Sequence, residues 1–127
     1  MPPPSAFAAV AVGAVLGAWG RWYLVGKLNA VLPQLPLGTL VANISGGLMV
    51  GLAVAFFADS PYVHPNVRLF VVTGFLGALT TFSSFSAESL ELLLAGRYGW
   101  AFAHSALHLF GSLAAATAGF ATYRAVA

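Results

Sequence analysis

The densest chemistry in the sequence lies at 77–86, Gly-Ala-Leu-Thr-Thr-Phe-Ser-Ser-Phe-Ser, with Glu88 and Glu91 just beyond. A plain lipid-facing helix has no use for this density of hydroxyls. Gly74 and Gly77 weaken a helical backbone here, and the two threonines are poor helix formers that can cap a fresh start. A helix broken at this point frees main-chain carbonyls and N–H groups. Lipid cannot satisfy them, so protein, water or an ion must. A carbonyl cluster with no carboxylate in contact suits a hard monovalent cation such as Na⁺ better than a divalent ion. Phe82 and Phe85 are three residues apart and share a face just after the break. Ser84 and Glu88, four apart, lie beside them. The phenylalanines read either as packing and lipid contact or as the walls of a narrow anion path, since ring edges carry partial positive charge.

Other polar residues recur at helical spacing. Thr39, Asn43, Gly47 and Gly51 form a polar-then-small stripe. Gly47 with Gly51, and Gly13 with Gly17, read as close-packing pairs between helices. Asn43 needs partners inside a membrane, and its amide could donate to an anion. His104, His108 and Ser112 recur every four residues and, with Ser105, make a polar face toward the bundle interior or an aqueous vestibule. A metal site is disfavoured, because His64 lies in a loop and the acids lie on another helix. Arg21 either snorkels to headgroups or steers anions into a vestibule. No HExxH, G-x-S-x-G or phosphate loop occurs, and nothing marks one serine as a nucleophile, so an enzyme is the least favoured class. With no cysteine, disulfides and thiolate metal sites are excluded.

The elements that must position these residues are apolar. Hydrophobic residues make up 60% of the chain and charged residues 6%, where soluble domains carry about a quarter charged. Four segments follow at about 5–25, 37–58, 67–94 and 100–123, each near the roughly 20 residues that a bilayer asks of a helix. Together they form one transmembrane domain. The first begins with prolines and carries its arginine at the far end, which reads as a retained helix, not a cleaved leader. The third, drawn as one straight helix, would reach about 40 Å against a hydrocarbon core of about 30 Å. The expectation is an all-α membrane protein whose third helix is broken.

The basic residues form no patch for nucleic acid. Arg21, Lys27 and Arg97 fall on one side of the membrane, Arg68 and Arg124 on the other. So weak a bias barely fixes orientation. At 127 residues the chain is too small to enclose a pathway alone. The bias reads either as real but small, pointing the termini outward, or, favoured once the size is considered, as the mark of a chain that inserts both ways and pairs with an inverted copy.

The sequence resembles the bacterial fluoride channels, the Fluc or CrcB family, over essentially its whole length. GAVLGAWGRW at 13–22 resembles that family's first-helix signature. GTLVAN at 38–43, with Gly46 and Gly47, resembles the second. TGFLGALTTFSSFSAE at 73–88 resembles the third-helix break. The resemblance implies an antiparallel, dual-topology homodimer in the bacterial inner membrane with two fluoride pores. It implies a structural Na⁺ at the dimer centre, held by the backbone carbonyls of Gly77 and Thr80 from each subunit. It further implies Asn43 as the pore asparagine and Phe82 and Phe85 as the aromatic pair. Thr39, Ser84, Glu88 and Ser112 would be polar positions along or near the path, and Arg21 the vestibule arginine. The implied activity is passive export of F⁻, which enters cells as HF and dissociates inside. His104 stands where some members have a tyrosine. A small proton-coupled multidrug exporter is the chief alternative, but it needs an embedded acid, typically in its first helix, and segment one has none. A non-transporting accessory subunit is the other, and the hydroxyl-rich break argues against it.

Overall fold

The computed structural model describes residues 1–127 and contains no strand. Helix α1 spans Pro4–Leu28 and begins with a proline at its first turn, where the missing N–H has no helical partner to lose. Helix α2 spans Leu37–Asp59, directly after Pro36. A third rod covers Pro65–Leu94. Helix α6, Tyr98–Val126, completes the chain.

The third rod is broken, and the break falls on the threonines. It opens with the turn α3, Pro65–Arg68, where the His64 ring accepts from the Asn66 N–H at 3.1 Å. A π-helical stretch follows at Leu69–Leu76, then the single turn α4 at Gly77–Leu79. Thr80 (φ −83°, ψ 155°) and Thr81 (φ −150°, ψ 120°) are extended, and α5 restarts at Phe82–Leu94. Gly77 keeps helical angles, φ −61° and ψ −33°. The glycines therefore do not cause the interruption. Gly74 serves a different purpose: a methyl group there would come within 3.1 Å of the Ala14 backbone nitrogen, because α1 crosses at that point.

The break also switches packing partners. The π-helical stretch and α4 lie against α1, whereas α5 lies against α6. Gly13 and Gly17 let α1 approach the backbone at 70–79. On the other side, α2 packs along α6, and a methyl on Gly47 would sit 2.8 Å from the Ser112 carbonyl oxygen. Both glycine pairs thus act as close-packing surfaces.

Helix α5 ends in a paired C-terminal cap. Gly96 N–H donates to Leu93 O at 3.0 Å and Arg97 N–H to Leu92 O at 2.9 Å. This motif requires a left-handed residue, and Gly96 supplies it with φ 73°. The turn folds α6 back along α5.

Three rods are long and apolar enough to cross a membrane: Pro4–Leu28, Leu37–Asp59 and Pro65–Leu94, with mean hydropathies of 1.4, 2.0 and 1.5. Helix α6 has the length, at 29 residues, but its histidines, serines and threonines make it less apolar. Asp59 and Arg124 meet at 3.6 Å where α2 and α6 end together.

Candidate functional site

At the break, side chains take over the backbone ladder. Thr80 N–H bonds back to Leu76 O at 3.0 Å, and its hydroxyl donates to the same oxygen at 2.8 Å. Thr81 N–H turns away to Asn43 Oδ1 at 2.7 Å. Ser84 N–H donates to Thr81 Oγ1 at 3.0 Å, so Thr81 is the N-cap of α5. In an unbroken helix, Thr81 N–H would bond Gly77 O and Ser84 N–H would bond Thr80 O. The carbonyls at 77–80 thus lose their ladder donors, Gly77 and Thr80 among them. Between them, Ala78 O accepts from Arg21 Nε at 3.1 Å. Arg21, half-buried, is thereby tied to the broken helix.

A cleft of about 600 Å³ opens beside the break. It gathers Asn43, Phe82, Phe85 and Ser112, with Gly77 and Thr80 on its wall. The two phenylalanine rings lie 5.5 Å apart and tilted by 55°. Phe82 is 79% exposed, so the cleft has one side uncovered by the chain itself. Thr39, Ser84, Glu88 and Arg21 do not line it.

Two of the residues outside the cleft, Thr39 and Glu88, with Asn29, His104 and Ser89, define a second, closed polar region. Asn29 Oδ1 accepts from Thr39 N–H at 3.1 Å. The Thr39 hydroxyl donates to Glu88 Oε2 at 2.6 Å. The other carboxylate oxygen of Glu88 meets His104 Nε2 at 3.0 Å, and His104 Nδ1 meets Ser89 Oγ at 2.9 Å. Thr39 and His104 are fully buried. The Phe85 ring stacks on His104, with centroids 5.1 Å apart and planes within 8°. Ser84 lies on the same first turn of α5, its N–H engaged by the cap.

The pairing of Glu88 with His104 overturns the expectation that the acids and histidines stay apart. The hairpin at Gly96 brings them together: positions 88 and 104 are equally far from residue 96. That symmetry was the signal available in the sequence. With His108 on the next turn of α6, ligand atoms of Glu88, His104 and His108 lie within 4.8 Å of one another, a spacing at which side chains can share a metal ion.

An all-α chain with a helix interrupted beside an open cleft is the architecture of a membrane protein in which protein or a water-filled path must meet the irregular backbone. The profile described as CrcB-like protein, Camphor Resistance (CrcB), matches residues 8–120, and the chain belongs to this family. It is 53% identical to the fluoride-specific ion channel FluC of Cupriavidus metallidurans over 98% of both chains. It is 52% identical to FluC of Pseudomonas syringae pv. maculicola over 92% of both, and 52% identical to FluC of Acinetobacter baumannii strain AYE over 93% of both. These relatives are channels, not enzymes. The chain is a multi-pass protein of the bacterial cytoplasmic membrane.

Proposed function

We propose that the protein is a fluoride-selective channel that lets F⁻ leave the cell passively and so lowers cytoplasmic fluoride. The observation that carries this reading is the cleft: Asn43, Phe82, Phe85 and Ser112 converge on one open space beside the helix break. Phenylalanine edges can hold a small anion without a full countercharge, which would trap it. Thr39, Ser84 and Glu88 continue the polar route on the far side of Phe85, and Arg21 attracts anions at the vestibule. The relatives named as FluC support the choice of ion.

The functional unit is two inverted copies, each a single domain spanning residues 1–127 with α6 as its fourth crossing. The freed Gly77 and Thr80 carbonyls support this, because lipid would leave such groups unsatisfied. A second copy facing the first covers the open side of each cleft and yields two pathways. The four carbonyls contributed by the two breaks fit a central Na⁺, a hard cation that takes oxygen ligands. When bound, it would supply the positive charge that holds the two breaks together.

Reconstitution in liposomes tests the reading. A fluoride electrode should record F⁻ efflux without matching Cl⁻ efflux and without any proton gradient. Efflux that strictly requires proton exchange, or no efflux at all, sinks it.

A further inference from the structure

The hydrogen bonds around Asn43 fix the tautomer of His108. Thr81 N–H meets Asn43 Oδ1 at 2.7 Å, and a backbone N–H can only donate, so the orientation of the amide is settled. Asn43 Nδ2 then faces Thr81 O at 3.0 Å and His108 Nδ1 at 2.9 Å. An amide nitrogen carries two hydrogens and no acceptor site, so both of its donors are used. His108 Nδ1 must be an acceptor, which leaves the ring proton on Nε2.

That Nε2–H is buried and has no partner within the chain. The whole side chain is almost closed off, with His108 5% exposed. Buried donors without acceptors are rare in folded proteins and call for a ligand or a water molecule. The ring lies against the functional residues, 4.9 Å from the Phe85 centroid and 4.5 Å from that of His104. A metal shared with Glu88 and His104 would need the lone pair of Nε2. That nitrogen holds the proton for as long as Asn43 donates to Nδ1, so the site calls for an acceptor and not a cation.

We propose that His108 Nε2–H is an anion-binding donor on the fluoride path, and that Asn43 acts there by holding the imidazole in the donating tautomer. The assignment rests on the channel reading above for the identity of the ion. The enclosure of the atom suits a small acceptor that has shed its water. It also moves a role along the chain: Asn43 has no free donor of its own, and its donating capacity reappears one ring further on, at Nε2.

Flux and spectroscopy test this together. In liposomes, His108→Leu should lower fluoride efflux by about tenfold, the scale of one lost hydrogen bond to an ion. His108→Gln, whose amide can still donate, should recover most of it. Both variants should elute as the wild-type oligomer. His108→Leu conducting as well as wild type overturns the proposal. Should the variants fail to fold, the wild type with ¹⁵N-labelled histidine decides. Its His108 ring should be protonated at Nε2 and bare at Nδ1, and the Nε2 signal should move with NaF and not with NaCl. A proton on Nδ1, or a signal indifferent to fluoride because water alone sits there, overturns it. A wild type that passes no fluoride sinks the channel reading, while the NaF titration still decides whether Nε2 binds the ion.

Discussion

On the two sides of the Phe85 ring, polar groups meet different fates. Toward His104, every group is matched: Asn29 with Thr39, Thr39 with Glu88, Glu88 with His104, and His104 with Ser89. Toward Phe82, the Gly77 and Thr80 carbonyls have lost their ladder donors, and the cleft is open. The chain completes one region by itself and leaves the other for something else to complete. Matched groups set shape, whereas unmatched ones are where an ion or a second copy gains most, because satisfying a buried polar group is worth more than adding a contact elsewhere. Substitutions should separate accordingly. Those in the closed region should cost stability along with flux, and those in the cleft should cost flux alone.

Asn43 stands on the border and should show the largest effect. Its side chain makes three hydrogen bonds, two to the Thr81 backbone and one to His108. Asn43→Ala strands the buried Thr81 N–H and releases the His108 ring. A stability loss of about 3 kcal/mol is expected from groups left unsatisfied, read as a lower thermal midpoint in detergent, together with abolished flux. An unchanged midpoint with lost flux would place Asn43 wholly in the cleft and weaken the contrast.

Thr39→Val comes next. It keeps the shape of a fully buried residue and removes the hydroxyl that donates to Glu88 at 2.6 Å. The expected loss is about 2 kcal/mol, as for a hydrogen bond to a charged or strongly polar group. Thr81→Ala should be milder. It deletes the N-cap of α5 but leaves the Asn43 pairing with the backbone intact, so about 1 kcal/mol is expected. If Thr81→Ala proves the more damaging of the two, the break itself, and not the closed region, is the stability-determining part of the site.

How far these regions were legible in the sequence follows the same division. Composition and length predicted apolar rods, and the hydroxyl-rich run marked the interrupted one. Of the two features read there, the threonines as the cap of a fresh start agree with the structure, and Gly74 and Gly77 as weak points do not. Gly74 turned out to be needed for the approach of α1, and the two extended threonines make the break. The π-helical stretch at Leu69–Leu76 left no mark in the residue pattern. Periodicity along one helix showed that His104 and His108 share a face. It could not show what they face, which the Gly96 hairpin decides by setting α5 against α6.

Ser112 supplies the smallest effect on stability and the sharpest test of the contrast. It lines the cleft, half-buried, on the α6 face that passes Gly47. The close approach there is made by the Ser112 backbone, which an alanine retains. Ser112→Ala should therefore change stability by less than about 0.5 kcal/mol, as for substitutions away from matched or tightly packed groups. Flux is another matter. On the channel reading proposed above, the hydroxyl is a donor along the path, and removing it takes one polar stop from an ion that must be held at each step without being trapped. Efflux should fall several-fold at an unchanged thermal midpoint, measured on the same reconstituted preparation. A drop in midpoint comparable to that of Thr39→Val would mean that the Ser112 hydroxyl is matched after all, by a group on the second copy, and that the cleft is a dimer seam at this depth and not an ion path.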